Sequence, residues 1–99
     1  MAHIYSKAEL YSRIIPVINQ YNIRRVVLFG SYAKGTADDK SDVDLLVDSG
    51  LRGLKFVSLC EDMRQALDRE IDLFDISHID NNSWVGREIA STGVVLHEK

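Results

Sequence analysis

The chain has 99 residues, 45% of them hydrophobic, and a formal charge of −3. That length makes one domain spanning 1–99, able to form a core but burying only about two-thirds of its unfolded surface, with no room for a separate substrate lobe. An acidic balance with no block of Lys or Arg argues against a polymerase-like grip on a nucleic-acid backbone.

Ser6-Lys7-Ala8-Glu9 is a capping box that opens a helix with Leu10, Ile14, Ile18 and Tyr21 on one face. Pro16 should kink or split that helix unless the chain restarts there. Residues 24–29 read as an apolar strand running into Gly30-Ser31. Gly30 allows a sharp turn and the close approach of another group. Ser31 offers a hydroxyl where a short helix, reaching about Lys34, can begin, and N–H groups at such a start favour phosphate oxygens. Taken alone, the segment fits an ordinary strand–turn–helix corner as well, with Lys34 a solvated helix residue. Gly35 then releases the chain into a polar turn over residues 36–40.

The next strand, residues 43–47, carries the chemistry. On a strand, residues two apart face the same side, roughly 6.6 Å apart at about 3.3 Å per residue. Asp42 and Asp44 therefore project together, while Val43, Leu45 and Val47 face the opposite layer. Two neighbouring carboxylates repel each other, and a hard divalent cation is the natural compensation: Mg²⁺ favours carboxylate oxygens together with substrate phosphates.

Beyond Gly53, Phe56, Leu59, Cys60, Met63 and Leu67 recur at helical spacing through Arg69. A strand over residues 70–76 follows with embedded acids: Asp72 shares a face with Phe74 and Ile76, and Asp75 with Ile71 and Leu73. Either could be a third site carboxylate, or both could mark strand ends. Residues 81–91 suggest a last helix with Trp84, Val85, Glu88 and Ile89, ended by Gly93, and residues 94–96 a short terminal strand. Trp84 reads as a core or interface anchor rather than a base-stacking residue. The order α-β-α-β-α-β-α-β predicts an α/β (α+β) fold, a small mixed sheet with helices packed on it. Cys60 has no disulfide partner and sits on an apolar stripe, which favours packing over reactivity. His3, His78 and His97 lack metal-ligand spacing, so zinc is not expected. With no signal-peptide pattern and no long apolar run, the expected compartment is the cytoplasm.

The segment from Gly30 to Leu45 resembles the signature of the nucleotidyltransferase superfamily that includes DNA polymerase β. It is most similar to the minimal nucleotidyltransferases (MNT), with their pattern Gly-Ser-x-Ala-Arg/Lys-Gly, a spacer, and Ser-Asp-x-Asp-Leu. Every fixed position of that pattern is present. The resemblance implies a polymerase β-like fold in which Gly30, Ser31 and Lys34 hold a nucleoside triphosphate. It also implies that Asp42, Asp44 and a third acid, Asp72 in preference to Asp75, bind two Mg²⁺ ions and carry catalysis. MNT proteins pair with HEPN-domain toxins, and some transfer AMP from ATP to a tyrosine of that partner. The function implied is thus a Mg²⁺- and ATP-dependent protein adenylyltransferase acting as antitoxin. The alternatives are a nucleotide-binding module that neutralises the partner by masking it, and nucleotidyl transfer to a small molecule or RNA through another subunit.

Overall fold

The computed structural model describes residues 4–80 and 82–99. Helix α1 spans Lys7–Tyr21, and its capping box is formed in full: Ser6 Oγ accepts from Glu9 N–H, and Glu9 Oε1 accepts from Ser6 N–H at 3.0 Å. Pro16 neither splits nor ends the helix. It lies on the exposed side, where the carbonyl left without its N–H partner can face water, while Leu10, Ile14, Val17 and Ile18 bury the other side. Asn22, in a left-handed conformation, closes the helix.

Strands β1 (Arg25–Phe29), β2 (Val43–Asp48), β3 (Ile71–Asp75) and β4 (Val94–Glu98) form one sheet in the order β3-β2-β1-β4. β1 runs antiparallel to β2 and β4, whereas β2 and β3 are parallel, joined by helix α3 (Leu54–Leu67) as the crossover. The short helix α2 (Gly30–Lys34) follows β1, and α4 (Trp84–Thr92) precedes β4. A 3₁₀ turn at Ile76–His78 leaves β3. His3 and Asn81, the latter the expected start of the last helix, lie outside the described residues.

Strand alternation sorts the sheet into two faces. Val26, Leu28, Val43, Leu45 and Val47 pack with Leu10, Ile14, Ile18, Leu59, Met63 and Leu67, so α1 and α3 cover one face. Val27, Phe29 and Leu46 pack with Phe74, Ile79, Val85 and Ile89, so α4 covers the other. This second layer is smaller; on the same face Asp44 is partly buried and Asp72 exposed. Tyr21 is half-buried against the core beneath α1 and α3, and its hydroxyl donates to Asp62 of α3 at 2.5 Å. Cys60 is also half-buried. Among the described residues, no helix is long and apolar enough to cross a membrane.

Candidate active site

The register of the sheet brings the acids together. Asp44 pairs with Phe29 on β1 and with Asp72 on β3, so the two carboxylates leave the same face side by side. Asp42 stands exposed just before β2. It is delivered there by a turn in which Asp38 accepts from Lys40 N–H and Ser41 Oγ–H, bonds that hold the Asp38 carboxyl below the usual carboxylate range. Asp44 is pushed up to about 6: burial contributes most, then a hydrogen bond and the charge shared with Asp72, then the charges of Asp42 and Glu88.

Gly30 lies against this cluster. Its φ of +74° is left-handed, and a Cβ there would stand 2.1 Å from Asp44 Oδ2. The turn after β1 is therefore shaped around the carboxylate. Ser31 follows, partly exposed, and Lys34 Nζ donates to Glu88 Oε1 of α4 at 3.0 Å. Tyr32, buried between them, accepts from Arg69 at 2.9 Å, which ties α2 to the residues leading into β3.

Asp75 is used differently. It is 2% exposed and lies on the other face, where Oδ1 accepts from Ser49 Oγ–H at 2.6 Å and from Ser49 N–H. Its Oδ2 accepts from the hydroxyl and N–H of Ser77. Burial alone would raise its pKa, but the bonds from Ser49 and Ser77 outweigh it and leave the carboxyl below the usual range. Asp75→Ala, which strands these donors, is expected to cost about 2 kcal/mol and lower Tm by about 10 °C in thermal denaturation. Asp72→Ala, at an exposed position among like charges, should leave Tm unchanged or higher.

Two further contributors are not singled out from the sequence. Glu88 reads there as an ordinary residue of the last helix, yet its charge reaches Asp44 and its carboxylate holds Lys34. Asp38 orders the loop before Asp42, and the Asp-Asp-Lys-Ser run carries the signal of a side chain capping its own turn. Trp84, expected in a core or interface, is 65% exposed and so is not a core residue.

The donor set fits a hard divalent cation. It is all carboxylate, and its crowded negative charge is part of what raises Asp44. Among the described residues, no three such side chains form a ready-made cage, because Asp42 stands in solvent while Asp44 and Asp72 pair. A nucleotide's own phosphates would supply further oxygens.

A family model described as polymerase beta nucleotidyltransferase matches residues 12–99. The chain belongs to the polymerase beta nucleotidyltransferase family. This nucleotidyltransferase is 32% identical over 73 residues to a Methanocaldococcus jannaschii protein named a protein adenylyltransferase, covering 72% of this chain and 78% of that one. It is 40% identical over 58 residues to the protein adenylyltransferase MntA of Thermococcus cleftensis, covering 54% and 57% of the two chains. Among solved structures, a toxin–antitoxin complex crystallised with AMP-PNP contains a chain that matches with a TM-score of 0.76 and 25% identity, over 90% of this chain and 73% of that one. A Shewanella oneidensis complex of a tri-AMPylated HEPN toxin with an MNT antitoxin matches in fold with a TM-score of 0.71 and 21% identity, over 94% and 73%. The nucleotidyltransferase fold expected from the sequence is the fold observed.

Proposed function

We propose that this chain transfers AMP from ATP to a hydroxyl, that of a tyrosine, on a HEPN-domain toxin and thereby acts as its antitoxin. The observation that carries the reading is the Asp44–Asp72 pair, with Asp42 beside it, set against the Gly30–Ser31 turn in a nucleotidyltransferase fold. The names of the adenylyltransferase relatives and the toxin complexes of the same fold support the acceptor and the nucleotide.

Asp42, Asp44 and Asp72 would hold Mg²⁺, which when bound supplies positive charge to the attacking and leaving oxygens of the phosphoryl centre. Ser31 Oγ and Lys34 Nζ bind the β- and γ-phosphates, with Lys34 exchanging the Glu88 carboxylate for the more highly charged polyphosphate. Asp72 accepts the proton of the incoming hydroxyl. The acceptor oxygen bonds to the α-phosphorus, the bond from that phosphorus to the bridging oxygen breaks, and pyrophosphate leaves.

Labelled ATP tests this, with the chain co-expressed with its HEPN partner and Mg²⁺ supplied or withheld. Label from the α-phosphate should reach the partner, and label from the γ-phosphate should not. The Asp42→Asn/Asp44→Asn double variant should give neither. A stable complex that never acquires label would overturn transfer and leave neutralisation by masking.

A further inference from the structure

Helix α4 carries a large side chain, Trp84, that neither the core nor the phosphate turn accounts for. Its core stripe, Val85 and Ile89, packs with Leu46 and Phe74. Those two residues are register partners, and they lie two positions along the same sheet face from Asp44 and Asp72. Trp84 and Glu88, four apart, share the adjoining flank of the helix. Glu88 fixes where that flank points, because its carboxylate bonds Lys34 at 3.0 Å and its charge acts on Asp44. Trp84 is one turn away, about 6 Å along the axis, and 65% exposed.

The helix start that carries Trp84 is fixed through its backbone. Ser83 Oγ accepts from Gly86 N–H at 3.1 Å, and Ser83 itself is pinned through its N–H and hydroxyl to the Asp80 carbonyl. The direction of the helix places Trp84 relative to the nucleotide. Gly93, at the far end, closes on Val27 of β1, and Glu88 meets Lys34, which follows β1. Trp84 thus lies one further turn beyond the Glu88–Lys34 contact, at the end of the helix opposite Gly93.

We propose that Trp84 anchors the acceptor segment of the protein partner beside the carboxylates that act on its hydroxyl, an inference that rests on the adenylyl-transfer reading above. The occupant is a polypeptide segment bearing a basic residue. The rim combines an indole face, which attracts cations, with the exposed Asp72 and Asp80 and with Glu88, against the cations Lys34, which pairs with Glu88, and the exposed Arg87. A large aromatic on an open face is also the residue type that most often dominates protein recognition.

The test compares wild type, Trp84→Ala and Trp84→Phe, each with the intact HEPN partner and separately with Mg²⁺ and ATP. Trp84→Ala should raise the KM for the partner about tenfold or more, with the ATP dissociation constant within about twofold and Tm unchanged, and Trp84→Phe should recover most of the loss. Weakened ATP binding with an unchanged partner KM would overturn the proposal and make Trp84 a platform for the nucleobase. No change in either quantity would overturn it too. If the wild type transfers no AMP, the adenylyl-transfer reading fails. The anchor is then judged on the partner dissociation constant, which the alanine variant must weaken for Trp84 to remain an anchor.

Discussion

Asp44→Asn is expected to abolish AMP transfer, by on the order of 10³-fold or more, while making the metal-free protein more stable at neutral pH. The two effects have one origin. Asp44 sits partly buried beside Asp72, Asp42 and Glu88, which lifts its pKa to about 6. In the unfolded chain the same carboxyl ionises in the ordinary range near 4. Between those values the folded protein keeps a proton that the unfolded chain has lost, so this group's contribution to stability falls as pH rises through the window. Below about pH 4 both states are protonated and the penalty vanishes; above about 6 it is complete. At this partly exposed position it is worth on the order of 1 kcal/mol once solvent screening is allowed for, or about 5 °C in Tm for a chain of this size. The variant's Tm advantage should therefore be near zero at pH 4 and reach its full value by pH 7, read from melts of both proteins without divalent cation. A variant that melts lower than wild type at pH 7 would mean that Asp44 is a structural partner rather than a strained site residue.

The parts of this site that the sequence disclosed are those whose geometry is local. Strand alternation alone puts Asp42 and Asp44 on one side, and a Gly-Ser pair after an apolar strand marks the turn against them. The choice between Asp72 and Asp75 is not local in this sense. Alternation separates their faces, but only the pairing of β3 with β2 determines which face meets Asp44, and that register depends on how α3 packs. The polar role of Asp75 is likewise hidden, because its donors come from Ser49, at the end of another strand, and from Ser77 in the following turn. Glu88 is further still from sequence view: its partner Lys34 is 54 residues away, joined only once α4 lies across the sheet. Pro16 shows the opposite limit. The local rule favours a break, and tertiary burial of the helix's apolar side overrides it.

Gly30→Ala should be nearly as damaging to activity as losing Asp44, and a second glycine separates the reasons. Alanine at Gly30 faces two costs. A φ of +74° is strained for any residue with a Cβ, by about 1–2 kcal/mol, and the new methyl would fall 2.1 Å from Asp44 Oδ2. A carboxylate oxygen is the mobile end of its side chain, so the protein can relieve the clash by swinging Asp44 aside. Folding then survives with a Tm lower by about 5–15 °C, but the carboxylate no longer stands beside Asp72. Gly35, which closes α2, has a φ of +77°, and a methyl group there would meet nothing within 4 Å. Gly35→Ala therefore carries the backbone strain without the collision. The expected pattern is a similar fall in Tm for both variants, with transfer lost by about 10²-fold or more in Gly30→Ala and kept within severalfold in Gly35→Ala. If both lose transfer equally, the turn's backbone conformation, rather than the space it leaves for Asp44, is what the reaction requires.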